Sequence, residues 1–380
     1  MSSNQSAARA PFGTFFVPGP TEVRPEILAQ MSRPMINHRS RAFESMFARI
    51  EAGLRDVFLT ARPVYVGTTS ATGFMEMAIR NAPDGAILSL VNGGFSQRFA
   101  EIAEACGRQV QRVSVPWGQT HDLDALDQAL ASGKFAAVTV AHSETSTGVL
   151  SDVRAIAPIA HAHGAIIMVD SVSGAGGAKL TVDEWGLDFA LTGSQKAMAL
   201  PPGLAFAVAS ADYIERAKTA AGRGTYFDIV QYDKNAATNE TPSTPAVSLF
   251  FALEAQLEDI GREGVEMRWE RHLQMRDATI EWVQGMRERR GVNLGILAPE
   301  GARSPTVSVI TLPAGMASKE VREAILARGY TVGSGYGKLG ETTFRIGHMG
   351  DHTLDGLTRC LHACEAAITE LAERKRLVRV

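Results

Sequence analysis

The sequence predicts an α/β protein, with a mostly parallel sheet flanked by helices in a large domain and a smaller C-terminal α+β domain after it. Three observations carry this. Between residues 63 and 210, short apolar runs without polar alternation recur, separated by amphipathic stretches. Runs of that kind suit strands covered on both faces. Their regular exchange with helical stretches calls for parallel strands joined by right-handed crossovers. Finally, 380 residues exceed one ordinary core, so two domains are expected.

In chain order, residues 1–15 read as an N-terminal arm, 16–255 as the large domain and 256–380 as the small one, with the N-terminal arm packing on it. Strands are expected at 63–66, 86–91, 109–115, 136–141, 165–170, 189–193 and 204–209, where Val, Ile, Leu and Ala cluster. Helices are expected between them at 72–81, 96–106, 123–132 and 153–163, with a short one at 182–185. A long helical stretch follows over 245–290, with Gly261 and Gly264 as its natural interruptions. The last third carries strands near 308–312 and 343–347 and helices at 318–328 and 354–373.

Composition narrows the function. Hydrophobic residues make up 45% and charged residues 21%, with a net charge of −3, which suits a soluble globular chain. There is no basic block, so neither nucleic acid nor an anionic membrane is an expected partner. No apolar run reaches the roughly 18 residues of a membrane span. The opening Met1-Ser2-Ser3-Asn4-Gln5 lacks a secretion pattern, and a cytoplasmic location is expected. Three cysteines cannot build a disulfide framework; Cys360 and Cys364, four apart, read as one face of a packed helix. The nine histidines show no metal-ligand spacing, and no metal is expected.

One lysine stands apart from the other seven. Lys196 follows the apolar Phe189-Ala190-Leu191, sits among small residues and is closed off by Pro201-Pro202-Gly203. Burial disfavours the ammonium form, which is what a Schiff-base lysine requires. A lysine snorkelling from a core rim has the same local pattern.

Four segments fall at expected strand ends, where open α/β sheets bind ligands. Gly67-Thr68-Thr69-Ser70-Ala71-Thr72-Gly73 runs into a helix, and its amides and hydroxyls suit a phosphate or an ordinary N-cap. Asp170 ends five apolar residues and suits a turn or the partner of a pyridinium nitrogen. His142-Ser143-Glu144-Thr145-Ser146-Thr147-Gly148 crowds polar groups at another end. Phe95, after Asn92-Gly93-Gly94, suits core packing or the face of a flat cofactor. Together they supply the parts that pyridoxal 5′-phosphate needs.

On these residues, with Pro18-Gly19-Pro20-Thr21, Asn37-His38-Arg39-Ser40, Val169-Asp170-Ser171-Val172, Gly193-Ser194-Gln195-Lys196 and Phe344-Arg345-Ile346-Gly347, the chain resembles the class V aminotransferases. These belong to fold type I of the pyridoxal-phosphate enzymes, and the likeness is to the serine/alanine–glyoxylate branch. It runs from about Pro18 to about Gly350. The resemblance implies that Lys196 carries the cofactor and moves the proton, and that Asp170 pairs with the ring nitrogen. Val172 would pack under the ring, Phe95 on its other face, and Thr145 near the ring hydroxyl. Ser70, Ala71, Thr72 and Gln195 would hold the phosphate. Arg345 would clamp the substrate carboxylate, with Pro20, His38 and Arg39 also at the substrate. Animal relatives have tryptophan in place of Phe95. They also bring a tyrosine from the partner subunit where this chain has 239–244, so that contact would fall to Ser243 or Thr244. A homodimer with shared active sites is implied.

The expected reaction is ping-pong transfer from alanine or serine to glyoxylate or pyruvate. The main rival is an aminotransferase for phosphoserine or another anionic substrate, with Arg39, Arg41 or Arg223 reading the second anion. A second rival is a lyase or desulfurase on the same scaffold; a desulfurase needs a catalytic cysteine on a mobile loop, which Cys106, Cys360 and Cys364 do not suit. A non-catalytic binding homologue is opposed by Lys196, Asp170 and Arg345 occurring together.

Overall fold

A computed structural model describes residues 12–375. Its centre is a seven-stranded sheet in the order Val64–Gly67, Ala205–Ala209, Phe189–Gly193, Ile166–Asp170, Phe135–Ala141, Ala86–Val91 and Val110–Ser114. Every strand runs the same way except Ala205–Ala209, which is antiparallel to both neighbours. The sheet is thus mostly parallel, as expected.

Alternate side chains of the central strands enter opposite cores. Ile167 and Val169 join Phe43, Phe47 and Phe250 on one face, while Ile166 and Met168 join Phe74, Phe99 and Phe189 on the other. Burial on both faces is why these strands read as unbroken apolar runs. In register, Asp170 lies opposite both Ala141 and Leu191. That brings the ends of three strands to one edge, beside the start of helix Ala71–Asn81.

A second, five-stranded sheet has the order Phe15–Phe16, Thr331–Ser334, Thr343–Gly347, Val307–Thr311 and Gly295–Ile296. Helices Val265–Arg290, Ser318–Leu326 and Leu354–Arg374 pack on it around Phe344, Ile346 and Cys364. Phe15 and Phe16 pair with Thr331 and Val332, so the end of the expected arm, together with Phe16, adds a strand to this sheet. Residues 1–11 of the expected arm lie outside the described residues.

Two local expectations are corrected. Residues 182–185 form turns rather than a helix, because Val182 donates to Phe58 O and Gly186, at φ 65°, turns the chain after a single turn. Gly261 does not interrupt the long helical stretch. Helix Val247–Glu263 runs through it and ends at Gly264, whose φ of 82° a helix does not accommodate. Four helices absent from the sequence reading also appear: Pro25–Gln30, Arg41–Phe58, Ala211–Ala217 and Ile229–Ala236. Among the described residues no helix is long and apolar enough to cross a membrane.

Candidate active site

Lys196 follows the strand Phe189–Gly193 on a loop tied back on itself. Ser194 N–H donates to Leu204 O at 3.0 Å, its hydroxyl donates to Pro201 O at 2.7 Å, and Ala199 N–H donates to Lys196 O at 2.8 Å. Buried Arg268 steadies the same loop by donating to Ala197 O at 2.8 Å and Gly176 O at 3.1 Å. Lys196 itself is only 8% exposed. Its Nζ donates to Pro18 O and lies 5.7 Å from the centre of the Phe95 ring. Burial pulls its pKa down to about 7, and the positive charge of Arg345 pulls in the same direction.

Gly19 makes that position possible. A Cβ there would stand 2.6 Å from Lys196 Cδ, Cε and Nζ, and φ is 118°, a conformation side chains resist. Thr21 N–H donates to Gln195 O at 2.8 Å, so segment 18–21 lies directly across the lysine.

Asp170 is buried at its strand end, its carboxylate accepting the Val172 N–H at 2.8 Å. Burial pushes its pKa up to about 7; the Val172 bond opposes the rise, and the charge of Glu144 adds to it.

The fit for pyridoxal 5′-phosphate rests on groups left open for it. Ser70 is the N-cap of helix Ala71–Asn81, yet its side chain makes no capping bond, so its hydroxyl is free of the ordinary N-cap role. Buried Gln195 Oε1 has no partner. Gly193 lets these elements meet: a Cβ there would lie 2.8 Å from Gln195 Oε1 and 3.1 Å from Ala71 Cβ. Ser70, Ala71, Thr72 and Gln195 thus meet at a helix N-terminus, with donors and an amide free to hold a phosphate. Asp170, Val172 and Phe95 line the same cavity as that helix start.

Glu144 fixes the Phe95 side. One carboxylate oxygen accepts from Ser96 N–H at 2.8 Å and Phe95 N–H at 3.1 Å, and the other from the Ser146 hydroxyl at 2.6 Å. Arg345 reaches in from the small sheet, donating from Nε to Ser334 O at 2.7 Å and from Nη1 to Thr145 O at 3.1 Å. Burial pulls its pKa down to about 10.

One narrow cavity of about 70 Å³ brings together Ser70, Ala71, Thr72, Phe95, Thr145, Asp170, Val172, Gln195 and Lys196. Arg345 adjoins it through Thr145, and Pro20 through Gly19. Thr145 Oγ1 is hydrogen-bonded to Ser173 Oγ. Four expected residues are not part of these walls. Ser243, Thr244 and Arg39 are exposed and His38 is half-buried, while Arg39 donates to Thr241 O at 3.1 Å and faces Glu240 at 3.5 Å. A larger cavity, about 650 Å³ and lined by His142, Trp185 and Trp269, contains none of Lys196, Asp170 or Arg345.

Sequence reasoning assigned no role to Gly19, Glu144, Arg98 or Tyr336. Gly19 and Glu144 lay within motifs already singled out, so a closer reading had a signal for them. Arg98 follows Phe95 by three residues, close to that residue's motif; Tyr336 sits in a glycine-rich loop that offers no signal.

A family model described as Aminotransferase class-V matches residues 25–337. A protein of Synechococcus sp. (strain PCC 6716) named "Soluble hydrogenase, small subunit" is 36% identical over 93% of this chain and 92% of its own. An L-aspartate–glyoxylate aminotransferase of Paracoccus denitrificans (strain Pd 1222) is 35% identical, over 89% and 86% respectively. A solved structure of an alanine–glyoxylate aminotransferase from Nostoc sp. matches with a TM-score of 0.88 at 27% identity, covering 97% of this chain and 99% of that one. The chain belongs to the class-V aminotransferases, transaminases of fold type I that work with pyridoxal 5′-phosphate.

Proposed function

We propose that the enzyme moves the amino group of a small amino acid, alanine or serine, to glyoxylate or pyruvate in two alternating half-reactions. The observation that carries this reading is a desolvated amine, Lys196, next to a guanidinium whose partners are not carboxylates. Arg345 spends Nε and one Nη1 proton on the Ser334 and Thr145 carbonyls, and rests near the Tyr336 ring. Its remaining Nη edge suits a carboxylate, bound by two parallel hydrogen bonds.

When bound, the cofactor supplies a protonated ring that accepts the electron pair released as the substrate Cα–H bond breaks. The chain's own groups do the rest. Asp170 holds the ring nitrogen's proton. Arg345 fixes the carboxylate so that the Cα–H bond is presented in one orientation. Lys196 Nζ, neutral above about pH 7, takes that proton and returns it. Phe95 covers one face against water.

Glyoxylate as acceptor is supported by the names of the Nostoc and Paracoccus proteins. No cysteine lines the Lys196 cavity, which disfavours a desulfurase. We take the active form to be a homodimer, in which Ser243, Thr244, His38 and Arg39 serve the partner's site.

A second reading, an anionic donor, is favoured by Arg98. It lines the same cavity and is held by the Tyr336 hydroxyl at 3.0 Å and the Phe95 ring face, not by a carboxylate. Arg223, by contrast, donates to Ala217 O and faces Asp228, and Arg41 is exposed. A donor screen separates the readings: alanine and serine fast for the first, aspartate or phosphoserine for the second.

A further inference from the structure

Tyr336 belongs to the loop after strand Thr331–Ser334 of the small sheet, yet it meets three side chains at the active site. Its ring lies 5.2 Å from that of Phe95, centre to centre, at 38°. Its hydroxyl accepts from Arg98 Nη2 at 3.0 Å. The Arg345 guanidinium stands 5.6 Å from its ring centre. Gly94 admits this contact, because a Cβ there would run into the Tyr336 ring. Trp117 flanks the ring at 6.4 Å and itself lies beneath the Lys338 ammonium at 4.8 Å. The tip of the loop is therefore pinned to the large domain through aromatic and cationic contacts.

We propose that Tyr336 is a positioning residue for transamination, holding Arg345 in place for the substrate carboxylate and bracing Phe95 against the cofactor face. The proposal rests on the transaminase reading and adds a coupling to it. Arg345's two carbonyl bonds fix the base of the guanidinium, while the Tyr336 ring limits the side to which its free edge swings. A cation over an aromatic face is attracted by the ring quadrupole, more strongly when both are desolvated. Arg98 keeps the ring in that place by binding its hydroxyl, so the large domain sets the posture of a small-domain arginine. Loss of the ring then weakens every carboxylate substrate, whatever its side chain.

The test compares the holoenzyme with Tyr336→Ala and Tyr336→Phe. Carboxylate binding is read by ligand-observed NMR titration with propionate, which carries no amino or oxo group to transfer. Tyr336→Ala is expected to weaken propionate about ten-fold, and Tyr336→Phe, which keeps the ring, less than about three-fold. KM for donor and acceptor should rise together in the same order, with kcat changed by less than about three-fold. Added to Arg345→Ala, Tyr336→Ala should weaken propionate little further, because the two act as one unit. Unchanged propionate binding in Tyr336→Ala, a loss confined to kcat, or full additivity with Arg345→Ala would each overturn the proposal. Wild-type protein inert toward every amino acid would overturn the transamination reading instead, and the binding arm would still decide Tyr336's role.

Discussion

Asp170 and Lys196 line one cavity, and burial drives them to the same point from opposite sides: the carboxyl up to about 7 and the amine down to about 7. A water-excluding pocket disfavours both charged forms. For the lysine the result is a reactive neutral amine near neutral pH, and the positive charge of Arg345 reinforces it.

Cofactor capture should follow that amine. Mixed with pyridoxal 5′-phosphate, the cofactor-free protein should react faster as pH rises from about 6 to about 8 and then level off; an ordinary lysine would still be gaining at pH 9. Arg345→Gln removes a charge that lowers the Lys196 pKa, so the midpoint should move upward. Stopped-flow absorbance measures both.

Asp170 gives the opposite sign. Its folded pKa of about 7 lies above the ordinary 3.8, so the stability it contributes is present below pH 3.8 and lost as pH rises through 7. Asp170→Asn should leave the cofactor-free protein as stable as wild type near pH 4 and more stable at pH 8, on the order of 4 kcal/mol. The same change should cut turnover by roughly 100-fold or more, since no anion then holds the ring proton. Thermal unfolding at the two pH values and a turnover assay check the pair.

Gly19→Ala is expected to displace Lys196 and, through backbone strain at φ 118°, to lower stability by about 1 kcal/mol without changing the fold. The added methyl occupies the space of Cδ, Cε and Nζ, so the amine must leave its position. Cofactor capture should slow by about 100-fold while far-ultraviolet circular dichroism stays unchanged.

Glu144→Gln turns an acceptor toward the backbone donors of Phe95, Ser96 and Ser146 into a group with two donors of its own. With at least one N–H then unpaired inside the protein, unfolding free energy should fall by about 2 kcal/mol in a denaturant titration. Phe95, no longer fixed at its helix start, should bind the cofactor less tightly.

What was legible in the sequence follows from what is local. The strand Ile166–Asp170 announces itself because both its faces are covered, and Lys196 because the small and apolar residues beside it in sequence are themselves buried. Glu144 was seen only as part of a polar crowd, since its purpose is to serve amides 48 and 49 residues earlier. Helix Arg41–Phe58 is masked in the sequence by the basic Arg39 and Arg41 at its start, which also suit an anion. Its opening is an ordinary cap, Ser40 accepting from Phe43 N–H, and its apolar face is completed by the distant Phe250. Tyr336 gains its meaning only once the second sheet is set against the first.

The most direct test of the central claim is an amino-donor screen on the cofactor-loaded enzyme. Alanine, serine, glycine, aspartate, glutamate and phosphoserine are mixed separately with it, and the loss of the cofactor's visible band is timed. Fast loss with alanine or serine, restored by glyoxylate, is the predicted result. No loss with any of the six amino acids, or restoration by no 2-oxo acid, would contradict it.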